Sequence, residues 1–200
     1  MSNLAYSAMV FAREVHKEQF RKYTGNPYAD HLAEVAGIVA AAGVFSGAVD
    51  SLPGREVAVA VAWLHDCAED QGVTHATLQE RFGLQVADAV LMLSDLEKGN
   101  RSERKSASRD RLAQAQPFVQ SIKCADLLSN TSSILLHDPK FAVVYLQEKR
   151  LLLDVMTKPD PRLKALVWAK VSSAEVFEAS LSAACDPSDP GVIGECAPCK

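Results

Sequence analysis

The stretch Val57-Ala58-Val59-Ala60-Val61-Ala62-Trp63-Leu64-His65-Asp66-Cys67-Ala68-Glu69-Asp70 carries an apolar run directly into a cluster of titratable side chains. The run is apolar on every side of a helical wheel, which predicts a buried central helix over residues 57–67. His65 and Glu69 are four apart, as are Asp66 and Asp70. If the helix continues, each pair shares a face. Three carboxylates beside a core would repel one another and lose solvation. A divalent cation answers that problem most simply, because it supplies the missing positive charge.

Working outward, two more residues extend this set. His31 follows Pro27 and begins a second helix; Asp126 is a lone carboxylate in the otherwise apolar Lys123-Cys124-Ala125-Asp126-Leu127-Leu128. A buried, unpaired Asp is costly, so a metal or a basic partner is expected for it. Taken singly, His31 reads as a helix-start residue and Asp126 as the partner of a core Arg or a backbone donor. His31, His65, Asp66 and Asp126 together make a mixed nitrogen and oxygen set. Such a set suits Mn²⁺, Fe²⁺ or Zn²⁺ better than Ca²⁺.

A second His-Asp pair, His137-Asp138, shows how little the dipeptide means alone. Pro139 and Lys140 follow it, no acidic pair accompanies it, and no long buried helix precedes it. It reads as a helix end and a cap. His16 is open to two readings, a partner supporting the metal site or a packed histidine, and His75 reads as loop.

The rest of the chain is helical in period, with almost no strand alternation. Leu4, Ala8, Phe11 and Val15 mark a first helix, broken by Gly25, Asn26 and Pro27. Thr77 to Phe82 reads as a short helix closed by Gly83. Val86 to Leu93, Val119 to Leu128, Phe141 to Met156 and Pro161 to Ala183 carry four more. The expectation is an all-α, single-domain helical bundle over residues 1–184, with residues 185–200 a disordered tail holding the Cys196/Cys199 pair.

The 200 residues suit one core. A net charge of -4 argues against general attraction to nucleic acid or acidic membranes. No apolar run approaches the ~20 residues of a membrane span, and the N-terminus lacks the order of a signal peptide. Cys67 and Cys124 lie in apolar helical patterns, which suits reduced thiols and a cytoplasmic setting. In this acidic protein the basic block containing Lys98, Arg101, Arg104 and Lys105 supplies candidate clamps for phosphate, with a solvated helix face as the alternative.

"FAREVHKEQFRKYTGNPYADH", "WLHDCAED", "RFGLQVADAVLMLSD" and "IKCADLLSNTSS" together resemble the HD-domain hydrolase half of the RelA/SpoT proteins, above all the small alarmone hydrolases, over residues 4–156. The resemblance implies an all-α HD-domain bundle that binds Mn²⁺ and removes the 3′-pyrophosphate of guanosine tetra- and pentaphosphate. Carried over by position, His31, His65, Asp66 and Asp126 are the metal ligands. Glu69 and Asp70 fall on the catalytic acidic pair that manages water and protons. Arg21 and Lys22 match a basic pair beside the base, and Asn130 an Asn near the ribose. The bifunctional enzymes read Asp-Lys-Leu-Tyr-Asn-Leu-Arg where this chain has Asp126-Leu127-Leu128-Ser129-Asn130-Thr131-Ser132. With no synthetase domain following, the chain is expected to degrade alarmone only. The alternatives are hydrolysis of another nucleotide (an adenine alarmone, a nucleoside monophosphate, a cyclic dinucleotide) and a non-catalytic nucleotide-binding module.

Overall fold

The computed structural model describes residues 3–45 and 52–184. Ten helices follow one another among them: α1 (Leu4–Val15), α2 (Tyr28–Ala42), α3 (Leu52–Leu64), α4 (Cys67–Gln71), α5 (His75–Phe82), α6 (Leu84–Leu93), α7 (Arg101–Gln114), α8 (Pro117–His137), α9 (Pro139–Val155) and α10 (Pro161–Ala184). The all-α expectation holds; one isolated bridge, Phe20 to Pro27, is the only β pairing among the described residues. The proposed tail and its cysteines lie outside them.

α3 is the axis of the molecule, with α1, α2, α6 and α8 packed around it. Its composition explains why. Ala58, Ala60 and Ala62 are so small that neighbouring helices approach closely, and these three, Val61 and Leu64 are fully buried. Burying one Leu or Val side chain stabilises the fold by ~1.5–3 kcal/mol. α8 crosses α2 and α3, then hands the core on to α9 and α10. Pro117 opens α8, where its missing N–H costs nothing.

Several boundaries differ from expectation, and α8 runs on to His137, so a long, largely buried helix does precede the second His-Asp pair. The central helix does not continue through His65 and Asp66: α3 stops at Leu64 and α4 starts at Cys67, leaving the pair in a turn. α2 starts at Tyr28, one turn before His31, because Pro27 sets the entry. His75 is the first residue of α5 and not loop, since Thr74 caps it, its Oγ1 accepting from the Thr77 N–H at 3.2 Å. α4 is brief because Gly72, at φ 64°, turns the chain left-handed, which glycine does without steric cost.

Candidate active site

The break between α3 and α4 puts two neighbouring side chains to the same use. Asp66 occupies the N-cap position of α4, yet its carboxylate makes no capping bond. It faces the imidazoles instead, with Oδ2 3.0 Å from His65 Nε2 and 3.6 Å from His31 Nε2. From α8, Asp126 Oδ1 lies 3.4 Å from His31 Nε2 and 3.8 Å from His65 Nε2. The ligand atoms of His31, His65 and Asp126 all lie within 4.8 Å of one another, and all three residues are buried. Asp66 Oδ2 adjoins them, so the four residues expected from the sequence converge from α2, the α3–α4 turn and α8.

The protons of the two imidazoles can be placed. His65 Nδ1 is 2.8 Å from the Ala62 carbonyl, which only accepts, so Nδ1 carries the hydrogen. His31 Nδ1 is 2.8 Å from Ser129 Oγ, whose own hydrogen goes to Glu34 Oε2 at 2.6 Å, so here too Nδ1 donates. Both Nε2 atoms are left buried with no hydrogen-bond partner. Beside two carboxylates each Nε2 needs a proton or a metal ion, since a bare lone pair there would be repelled. Burial by itself would lower the His65 imidazole, but Asp66 and Asp126 outweigh it and raise its pKa to about 10. His31 is raised as well, the carboxylates again outweighing burial. Burial opposes ionisation of Asp66 and Asp126, and neighbouring cations overcome it: the two histidines lower Asp66, and Lys123 with those histidines lowers Asp126. Protons on the imidazoles supply positive charge to the metal-free site, and the same two nitrogens with the carboxylate oxygens fit a divalent transition-metal ion in place of those protons.

A ring of partners holds these ligands. Tyr28 donates its hydroxyl to Asp66 Oδ2 at 2.7 Å, and its ring stacks on His16, with centroids 5.2 Å apart. His16 is buried, bonds Gln19 Oε1 at 2.5 Å and packs on Tyr28, whose hydroxyl reaches Asp66. Lys123 Nζ sits 2.8 Å from Asp126 Oδ2, and Asn130 donates to Asp126 Oδ1 at 2.6 Å.

Beside the ligands opens a cleft of about 180 Å³. Glu69 and Asp70 lie on its wall, where Glu69 accepts from the Asp95 N–H at 2.8 Å and Asp70 from Gln19 at 2.7 Å. Partial burial raises the Glu69 carboxyl above its ordinary pKa. Six carboxylates face the cleft (Asp66, Glu69, Asp70, Asp95, Asp126 and Glu148) against four cations, Lys105, Arg109, Lys123 and Lys149. Two of these carboxylates are paired from outside the lining, Glu148 by Arg101 at 2.6 Å and Asp95 by Arg111 at 2.7 Å.

The basic block divides. Lys105 lines the cleft and pairs with Asp95 at 2.7 Å. Lys98, exposed before α7, is not among the lining residues, nor are Arg101 and Arg104. Lys105, Ser108 and Arg109 share a face of α7 at helical spacing, with Arg104 one residue off it. Arg101 forks onto Glu148 at 2.6 and 2.9 Å. Arg21 reaches Asn130 Oδ1 at 3.4 Å and Ser129 Oγ at 3.5 Å, whereas Lys22 is exposed, 4.0 Å from Asp138.

Sequence reasoning passed over Arg109, Lys123, Lys149 and Tyr28. Lys149 had a readable signal: with Tyr145, Leu152 and Leu153 it occupies the buried face of α9, where an unpaired Lys is out of place. Burial, with Lys123 and Lys105 close by, lowers its pKa to about 8.

Fold and site together define a helical domain built around a buried His/Asp cluster that could hold a metal ion. A family model described as an HD domain matches residues 8–125, and the chain belongs to that family. It is 38% identical over 89 residues to a guanosine-3′,5′-bis(diphosphate) 3′-pyrophosphohydrolase of Haemophilus influenzae, covering 44% of this chain and 12% of that protein. It is 33% identical over 130 residues to a protein of the same name from Aquifex aeolicus, covering 64% and 17%. The chain thus spans less than a fifth of the length of either relative. Among solved structures, a metazoan ortholog of SpoT described as hydrolysing ppGpp superposes with a TM-score of 0.75 at 21% identity, over 86% of this chain and 96% of that one, a likeness of fold.

Proposed function

We propose that the chain is a metal-dependent phosphohydrolase that removes the 3′-pyrophosphate of guanosine tetra- and pentaphosphate, with Mn²⁺ as the ion. The observation that carries this reading is the joining of a His/Asp metal-binding cluster to a cleft with four cations on its walls. Names of relatives that act on guanosine 3′,5′-bis(diphosphate) support the substrate.

When bound, a divalent ion acidifies water and draws charge from a phosphoryl oxygen. The protein's own groups do the rest. Lys105, Arg109 and Lys149 lie where they can hold a pyrophosphate; the mutual repulsion of Lys149, Lys123 and Lys105 eases when an anion enters. Glu69, raised by its partial burial, and Asp70 stand on the cleft wall beside Asp66 to take and return a proton. Arg21 offers a planar guanidinium to a purine, with Asn130 between it and Asp126. No helix among the described residues is long and apolar enough to cross a membrane, and the free thiols of Cys67 and Cys124 suit a reducing, cytoplasmic setting.

A nucleotide panel with and without Mn²⁺ tests this reading. Guanosine tetraphosphate should yield guanosine diphosphate and pyrophosphate only with metal. Faster release from a nucleoside monophosphate or an adenine alarmone would give the enzyme another substrate. Binding without turnover would make it a sensing module.

A further inference from the structure

Ser129 lies at a junction of three groups and uses its whole hydrogen-bonding capacity there. Its Oγ is 2.8 Å from His31 Nδ1, 2.6 Å from Glu34 Oε2 and 3.5 Å from an Arg21 guanidinium nitrogen. A hydroxyl has one hydrogen and two lone pairs. A guanidinium only donates and a carboxylate only accepts, so the hydrogen goes to Glu34 and the lone pairs receive Arg21 and His31. The polarity of the chain is therefore fixed from its outer end: Glu34 orients the hydroxyl, the hydroxyl holds the hydrogen on His31 Nδ1, and the Nε2 lone pair is left facing Asp66 and Asp126.

The local structure supports this. His31 and Glu34 are three apart on α2, so they rise from one face of the helix, and Ser129 reaches up between them from α8. Ser129 is buried and Glu34 is on the surface, so the relay runs from solvent to the metal ligand. His65 needs no such device, because a backbone carbonyl fixes its tautomer. His31 depends on a hydroxyl, which can rotate and donate or accept, unless something sets its direction.

We propose that Ser129 and Glu34 are positioning residues that act in series to hold His31 in its metal-binding tautomer. This rests on the metal reading of the site. Partners of this kind are typically worth roughly 10- to 100-fold in metal affinity.

Titration of the metal-free full chain with Mn²⁺, read by the resonance of the free ion, tests it without reference to catalysis. Wild type and His65→Ala come first. If wild type shows no saturable site that His65→Ala removes, the metal reading falls and this proposal with it. If that site is present, Ser129→Ala should weaken Mn²⁺ roughly 10- to 100-fold and Glu34→Ala less. In the Ser129→Ala background, adding Glu34→Ala should cost less than two-fold more, because Glu34 acts only through the hydroxyl. Asp138→Ala, which removes a helix cap at the far end of α8, serves as a control for general loosening and should leave Mn²⁺ affinity intact. Ser129→Ala binding within two-fold of wild type would overturn the proposal. So would a Glu34→Ala penalty equal in both backgrounds, or an Asp138→Ala loss matching that of Ser129→Ala.

Discussion

The molecule contains the dipeptide His-Asp twice, each time where one helix ends and the next begins, and the two have different fates. His65-Asp66 separates α3 from α4; His137 is the last residue of α8, and Asp138 alone stands between it and α9. At the second junction Asp138 does what an N-cap residue ordinarily does, its Oδ1 accepting from the Phe141 N–H at 3.1 Å, while His137 is exposed and stacks on Tyr23. At the first, Asp66 occupies the same N-cap position but leaves its cap bond unmade, and both side chains turn into a buried cluster. Local chemistry is the same in both places. What differs is the surroundings: α3 is the central helix, so its end meets α2 and α8, which bring His31 and Asp126. At the α8–α9 junction the partners are instead Tyr23, whose ring stacks on His137 and whose hydroxyl donates to Asp138, and the Phe141 N–H.

The largest expected effect follows directly. His65→Ala should remove activity and bound metal together, while His137→Ala should leave kcat within a few-fold of wild type. A loss of ~10²-fold in His137→Ala, equivalent to ~2.7 kcal/mol in the barrier, would reverse the assignment of the two pairs.

Next in size is a split within the first region. Glu69 and Asp70 are not needed to complete the ligand set, so Glu69→Gln with Asp70→Asn should retain metal and nucleotide. The rate should drop by roughly 10²-fold or more, the scale for losing positioned acid–base help. Single-turnover rates beside nucleotide titrations would show it; normal turnover in the double amide would remove both from the chemistry.

Lys149 gives a smaller effect with a definite sign. Its pKa is lowered to about 8, so it is a cation below that pH and neutral above. If it holds a substrate phosphate, kcat/KM should fall as pH rises through about 8. Lys149→Arg, charged throughout, should move that limb to higher pH. An unchanged limb would mean that Lys149 does not meet the substrate. Stability runs the other way: between about 8 and the ordinary lysine pKa of 10.5 the unfolded chain binds the extra proton, so this residue favours the fold more as pH rises.

The smallest effect belongs to the other junction. Asp138→Ala removes a working N-cap and should lower the melting temperature by a few degrees with no change in metal content. A larger loss of metal than of stability would tie the two regions together in a way the geometry does not.

Much of this was legible in the sequence because it rests on helical spacing and on the cost of buried charge. The all-α class, the bundle and the importance of the stretch after Val57 all follow from those two considerations. They single out His65, Asp66 and Asp126, whereas His31 joins them through the ordered set and the family resemblance; the four converge in space although they are spread from His31 to Asp126. What spacing alone misjudged was the turn at His65-Asp66. An unbroken helix would have sent adjacent side chains about a quarter turn apart, whereas the break at Leu64 lets both point inward. Lys98, Arg101 and Arg104 looked like clamps because they were basic and close in sequence. Which face of α7 meets the cleft is set by tertiary packing, which favours Lys105 and Arg109. Ser129 stood out only as a departure from the Tyr of the bifunctional enzymes. Its tie to His31 and Glu34 spans 98 and 95 residues and has no local signature.

In the proposed function one divalent ion is held between His31, His65, Asp66 and Asp126, and hydrolysis requires it. Titrating metal-free protein with Mn²⁺ while following both bound metal and release of pyrophosphate from guanosine tetraphosphate tests it most directly. Uptake of one ion per chain is expected, with a rate that rises in step with uptake and loss of both in Asp66→Asn. Full uptake by Asp66→Asn, or pyrophosphate release at full rate before any ion is bound, would contradict it.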